Sequence, residues 1–331
     1  MKTEMEYLGL TLKNPLISSA SPISSHTDQC KELEDHGIAA IVMHSLFEEE
    51  INHELHEVDH MLFHGKDSFA EALDFFPDND FENYESDNYL KQLESLKSAL
   101  DIPVIASLNG ISSGGWVKYA KLLEEAGADA LELNLYYPVN SADADASAIE
   151  KHYLEAISQV KAATGLKLAV KLSPEFTALP SFLRSTYQNG ASAAVLFNRF
   201  YQPDIDLEEL QWKSRLYQSS SVDLAKALRA AAINYGQSDL ELSISGGVSC
   251  GSDIIKAVMA GASSVGVATA LYEKGLAHAG VMLKEAEAWM SEKEYDSFDQ
   301  MRGSISYKKS PNPAALERAN YVRLLRHSDG I

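Results

Sequence analysis

Apolar residues fall along this chain in eight short runs, each followed by a helical pattern or a loop. The runs are Pro15–Ser18, Ala39–Met43, Pro103–Ala106, Ala130–Leu133, Leu168–Lys171, Ala193–Leu196, Leu240–Ser243 and Ser264–Val267. Between them, stretches such as Trp116–Ala126, Ala148–Thr164 and Leu224–Ile233 carry apolar positions at helical spacing, and several end at glycine. Strand and helix alternate throughout, which argues for a parallel sheet. Eight such units in one chain favour an α/β fold of the (β/α)8 TIM barrel type over an open doubly wound sheet. A single domain is expected over residues 1–310, with an acidic insert at about 46–90 and a helical tail at 311–331.

Composition narrows the function classes. At 331 residues and 45% hydrophobic content the chain can bury a large core. No apolar run reaches membrane-spanning length and no basic-plus-apolar leader opens the chain, so a cytoplasmic protein is expected. Cys30 and Cys250 are too few and too far apart for a disulfide scaffold, a zinc ribbon or a cysteine-ligated cluster. Any redox chemistry would therefore ride on an organic cofactor. The formal net charge of −20 opposes a nucleic-acid partner. A small-molecule substrate is the expected partner, with a homodimer left open as the assembly.

In a barrel of this kind the chemistry sits at the C-terminal rim, which turns strand ends into site candidates. They are Ser19–Ser21, His44–Ser45, Ser107–Gly110 with Asn109, Asn134–Pro138, Lys171–Pro174, Phe197–Arg199, Ser245–Gly247 and Ala268–Thr269. The segments Ile244–Asp253 and Ala260–Tyr272 are each a short strand ending in small residues and then a helix, so backbone N–H groups can converge there on one phosphate. Gly246 and Gly247 allow close backbone approach, Thr269 adds a hydroxyl, and Asp253–Ala262 reads as the crossover helix between the two. Lys171 ends an apolar strand inside the barrel mouth, where an unpaired ammonium would be costly, and so implies an anionic partner.

Asn14–Pro15 with Ser19–Ser21, Glu132–Leu135 before a proline, Val170–Pro174, Asn198, Gly246–Gly247, Val267–Tyr272 and the late Met301–Gly303 together resemble the dihydroorotate dehydrogenase family. The resemblance runs from about residue 5 to 305. It implies an FMN-binding (β/α)8 barrel and hydride transfer between flavin N5 and a small cyclic unsaturated or dihydro substrate. By that resemblance Lys171 lies beside the flavin pyrimidine edge, where a cation stabilises the anionic reduced ring. Asn134 and Asn198 would line flavin and substrate, and Ala20 and Ser21 would touch the ring. Gly246, Gly247, Ala268 and Thr269 would hold the phosphate, and His44, Ser45 and Asn109 join the cofactor-facing set. Ser220 and Ser221 fall where the family has a further small-residue cofactor loop.

Departures from the family pattern bear on the reaction. Its catalytic base is cysteine or serine in the loop after strand four, where this chain has Asn134-Leu-Tyr-Tyr-Pro-Val139. Tyr137 stands at the base position, and a neutral phenol is a poor base but a competent proton donor. That suits reduction of an activated C=C bond, with Tyr136 as competing donor because alternate loop residues point to different sides. The expected lysine at the end of strand two is His44, and the family's substrate loop is here near Ser68–Leu73, where Glu71 or Asp74 would repel a carboxylate. A flavin-binding protein without dihydroorotate turnover is the second reading. Within the insert, His56-Glu57-Val-Asp-His60 matches the H-E-x-x-H zinc signature, and His53 and His64 extend the stripe. A zinc hydrolase using His56, Glu57 and His60 is a third reading, set against an insert with fourteen acids and only Lys66 as a base.

Overall fold

The computed structural model describes residues 2–48, 86–110, 113–198, 202–215 and 218–326. Twelve strands and eleven α-helices are described. The strands are β1 (Met5–Tyr7), β2 (Leu10–Leu12), β3 (Leu16–Ser18), β4 (Ile41–Phe47), β5 (Val104–Gly110), β6 (Ala130–Leu135), β7 (Leu168–Leu172), β8 (Ala193–Leu196), β9 (Gln202–Asp206), β10 (Gln211–Arg215), β11 (Glu241–Ser245) and β12 (Ser264–Val267). The helices are α1 (Thr27–Asp35), α2 (Ser86–Ala99), α3 (Ser113–Glu125), α4 (Ala146–Ala163), α5 (Leu179–Gln188), α6 (Ser221–Asn234), α7 (Gly251–Ala260), α8 (Thr269–Lys274), α9 (His278–Glu292), α10 (Phe298–Met301) and α11 (Pro313–Arg326).

All eight apolar runs are barrel strands. β3, β4, β5, β6, β7, β8, β11 and β12 pair in parallel in that order, and β12 returns to β3, closing the (β/α)8 barrel. Five strands run further than the apolar pattern predicts: β4 to Phe47, β5 to Gly110, β6 to Leu135, β7 to Leu172 and β11 to Ser245. The reason is chemical, because the added parts of β4, β5, β6 and β11 carry His, Ser or Asn, so hydrophobic periodicity stops while backbone pairing continues. His44, Ser45, Ser107, Asn109 and Asn134 are therefore held inside paired strands rather than in the loops that follow.

Side-chain alternation divides the core in two. Outward positions such as Leu131, Leu133 and Leu135 on β6 and Leu168, Val170 and Leu172 on β7 pack beneath the helices. Inward positions near the strand starts, Ala130, Ala169 and Ala193, are small because the β1–β2 hairpin fills the lower mouth with Tyr7, Leu8 and Leu12. Above that apolar floor the inward positions turn polar, with Ser107, Glu132, Asn134 and Lys171 all buried. This gradient makes the upper mouth the one chemically equipped end of the interior.

Two strand pairs lie outside the eightfold pattern. One is the hairpin floor; the other is the antiparallel β9–β10 hairpin between β8 and α6, on which Ile205, Leu207, Leu210 and Trp212 are exposed. No helix among the described residues is long and apolar enough to cross a membrane.

Candidate active site

The β6–β7 wall of the mouth is built from strand register. Asn134 stands beside Lys171 across the ladder, and two residues below it Glu132 points the same way. Glu132 Oε1 lies 3.2 Å from Lys171 Nζ, with the two side chains 5% and 8% exposed. Among the described residues this is the only hydrogen bond of the ammonium, which has three N–H donors. Burial raises the phenol pKa of Tyr7 and of Tyr89, and the Glu132 charge adds to both. The Asn134 amide donates to Ser45 Oγ at 2.8 Å and to Ser107 Oγ at 3.1 Å, and those hydroxyls are 2.9 Å apart. Asn109 is half-buried on the neighbouring strand, in register with Asn134. Asn198 follows β8 and its backbone N–H reaches Leu172 O at 2.7 Å, which seats it next to the end of β7.

The β11–β12 wall is backbone. Gly246 and Gly247 adopt φ of +94° and +75°, the left-handed region open to glycine. A Cβ on Gly247 would stand 2.0 Å from Ser220 O, so this glycine permits direct contact with the loop before α6. Ser219 Oγ meets Thr269 Oγ1 at 2.9 Å, closing the same corner. A Cβ on Gly246 would meet nothing within 4 Å. Ser220 sends its N–H and hydroxyl to Asp223 at 2.8 and 3.3 Å and contributes its carbonyl here, while Ser221 is exposed in the first turn of α6. The N-terminal end of α7 is likewise engaged: Ser249 N–H, just before the helix, goes to Asp253 at 3.0 Å and Gly251 N–H to Glu285 at 2.7 Å. Among the described residues the N–H groups of Gly246–Gly247 and of Ala268–Thr269 make no hydrogen bond and can face an anion, whereas the Leu271 N–H in the first turn of α8 is already bonded to Ala268 O at 2.9 Å.

Between these walls lie Ala20 and Ser21, just past β3, and His44 on β4. The Ser21 hydroxyl is buried and makes no hydrogen bond among the described residues. His44 turns its ring to Ser24 and Ser25, with Nδ1 3.2 Å from each hydroxyl, and meets Tyr89 edge-on at 5.0 Å. Burial holds its pKa below the usual histidine value, so at neutral pH it brings no cation to the mouth.

Beyond Asn134 and Lys171 the rim opens into a cavity of about 230 Å³ between the β6–α4 and β7–α5 loops. Tyr136, Tyr137, Ile149, Tyr153 and Phe176 line it, with Glu150 and Glu175 at its edge. Tyr137 is 42% exposed and its ring stands edge-on to His152 of α4 at 6.4 Å. Its backbone N–H donates to Tyr153 Oη at 2.7 Å. Strand alternation continued past Leu135 puts Tyr136 on the Asn134 side of this loop and Tyr137 on the helix side.

Sequence reasoning brought most of these residues to one rim but passed over Glu132 as a site residue, although alternation from Asn134 marks it as inward. The motif His56-Glu57-Val-Asp-His60, and Glu71 and Asp74 with it, lie outside the described residues. Among the described residues no group of three or more His, Cys, Asp or Glu side chains could hold a metal ion.

A closed barrel with a polar upper mouth, a buried cation and a glycine corner defines an enzyme of the TIM-barrel class. The family model described as Dihydroorotate dehydrogenase matches residues 2–290, and the chain belongs to that family. It is an oxidoreductase acting on CH–CH bonds. The catalytic subunit of dihydroorotate dehydrogenase B (NAD(+)) from Thermoplasma volcanium is 26% identical over 302 residues, covering 89% of this chain and 95% of that one. The corresponding subunit from Methanosarcina mazei is 27% identical over 306 residues, covering 89% and 92%. Among solved structures, dihydroorotate dehydrogenase of Eimeria tenella, in complex with ferulenol, superposes with a TM-score of 0.66 at 14% identity, covering 92% of this chain and 88% of that one. That likeness concerns the fold.

Proposed function

We propose that this chain is an FMN-dependent oxidoreductase acting on a small cyclic unsaturated or dihydro substrate in the cytoplasm. The observation that carries the reading is the pairing of two unlike walls across one mouth, Lys171 with donors unused among the described residues on one side and the Gly246–Gly247 and Ala268–Thr269 backbone on the other. The residues fit the group: the Ser21 hydroxyl is buried without a partner among the described residues, and the space beside Gly246 is open. FMN, when bound, supplies hydride exchange at its N5. The backbone of Gly246, Gly247, Ala268 and Thr269 with the Thr269 hydroxyl would hold the phosphate. Lys171 would face the pyrimidine edge, Ala20 and Ser21 the ring, and Asn134 and Asn198 would orient flavin and substrate, with Ser45 fixing the Asn134 amide. His44, Asn109, Ser220 and Ser221 complete the surroundings. A homodimer is proposed as the assembly, supported by the apolar residues exposed on the β9–β10 hairpin.

The proton donor is proposed to be Tyr137, which stands at the base position of the resemblance and lines the rim cavity, with Tyr136, on the Asn134 side of the same loop, as the competitor. A phenol at this loop donates a proton to carbon more readily than it removes one, so reduction of an activated C=C bond is the favoured direction. The second reading, flavin binding without dihydroorotate turnover, is favoured by this tyrosine in place of a base. One experiment separates them. The protein is purified, its released cofactor identified, and the pre-reduced enzyme mixed anaerobically with cyclic enones and unsaturated pyrimidines. A yellow protein with FMN, reoxidised by a member of the panel and about 10²-fold more slowly in Tyr137→Phe, supports the proposal. Reoxidation impaired instead in Tyr136→Phe transfers the role to Tyr136. Failure of every acceptor supports the second reading, rapid bleaching by dihydroorotate restores the family reaction, and a colourless protein that ignores added FMN ends the flavin assignment.

A further inference from the structure

We propose that Glu132 is a positioning residue that sets the reduction potential of the bound flavin by sharing the Lys171 ammonium with it; the inference rests on the FMN reading above. Two facts carry it. The Glu132 carboxylate is 4% exposed and accepts one hydrogen bond among the described residues, from Lys171 at 3.2 Å. The same ammonium uses one of its three donors on that carboxylate, so the remainder are available above it, toward the mouth. The inward layer beneath holds Ala130 and Ala169, and the neighbouring hydroxyls, on Ser107 in register with Glu132 and on Tyr7 and Tyr89 that feel its charge, make no hydrogen bond to the carboxylate among the described residues.

A bare lysine and a lysine paired with a buried carboxylate are different partners for a cofactor whose charge changes. The pair is neutral as a whole. When the flavin ring gains negative charge on reduction, two anions then compete for one cation, and the carboxylate opposes what the lysine favours. Glu132 also fixes where the ammonium sits, since a flexible four-carbon stem would otherwise let it leave the ring edge. The net effect is a potential lower than an isolated lysine would give, which keeps reduced flavin a strong donor.

The test is the midpoint potential of bound FMN in wild type, Glu132→Gln, Glu132→Asp, Lys171→Met and the double variant Glu132→Gln/Lys171→Met. Glu132→Gln is expected to favour binding of reduced over oxidised FMN by about tenfold more than wild type, which is a rise of about 30 mV for a two-electron couple. Glu132→Asp, whose shorter side chain lengthens the reach to the ammonium, is expected between the two. In the Lys171→Met background the Glu132→Gln effect should largely vanish. Should Glu132→Gln fail to fold, the aspartate variant and the double variant, which removes both charges together, still decide the question. A yellow variant with the wild-type potential overturns the proposal, as does an equal shift with and without the lysine, because the carboxylate would then act without Lys171. A colourless wild type overturns it together with the FMN reading and is seen before any potential is measured.

Discussion

On the β6–β7 side of the barrel mouth the groups offered to a ligand are side chains, Asn134 and a Lys171 ammonium backed by Glu132. On the β11–β12 side they are backbone, with open space beside Gly246 and with Gly247 buried against the Ser220 loop. Both walls stand on the same floor of small inward residues plugged by the β1–β2 hairpin. The first wall recognises charge, so it answers to substitutions that keep volume and alter charge. The second recognises shape, so it answers to a single added methyl group. A phosphate that keeps its charge throughout is suited to fixed backbone donors, whereas a ring whose charge changes is suited to an adjustable side-chain pair.

The largest effect is expected below both walls. Leu12 is fully buried in the hairpin floor, and Leu12→Ala should cost about 2–5 kcal/mol in denaturant unfolding. FMN affinity measured well below the transition should stay at the wild-type value. A floor variant that weakened flavin binding as much as stability would break the separation of floor from walls. Next in size is Gly247→Ala, where the new Cβ meets the Ser220 carbonyl in a left-handed backbone conformation. Strain and overpacking together should weaken FMN binding about 10²-fold in a fluorescence titration. Gly246→Ala meets only the conformational strain, so a loss of about tenfold is expected. Equal losses at the two glycines would show that close contact with the Ser220 loop does not shape the clamp.

The smallest effect concerns His44, which sits between the walls. Its folded-state pKa is held below the ordinary value by burial, while the unfolded chain takes up the proton near pH 6.5. Below about pH 6.5 the unfolded state therefore binds more protons, and stability falls with pH until the folded-state pKa is passed. His44→Gln should flatten that part of the stability–pH curve in denaturant unfolding. A wild-type affinity that rose steeply as pH fell through 7 would instead show that His44 serves the mouth as a second cation.

The positions of the eight barrel strands, the parallel order and the rim were legible in the chain, because each strand announces itself by a local apolar run and each crossover by helical spacing. Gly246 and Gly247 were legible for the same local reason. The β1–β2 floor and the β9–β10 hairpin were not, since strands of three residues and of mixed polarity carry no periodic signal. Strand ends were read short wherever polar inward residues continued the ladder, as at His44, Asn109 and Asn134.

What the sequence determined by itself is the set of groups that can meet at the rim: one lysine, three asparagines, a serine-rich lining and paired glycines. Only the tertiary structure decided their partners. Lys171 and Glu132 are 39 residues apart in sequence and 3.2 Å apart in the barrel, a closeness set by how β6 and β7 register. The engagement of the Ser220 and Gly251 N–H groups by Asp223 and Glu285 belongs to the same category. So does the turning of Tyr137 toward His152. The physical reason is that hydrophobic spacing is a property of neighbours along the chain. Charge pairing and donor occupancy depend instead on which strands and helices closure of the barrel brings side by side.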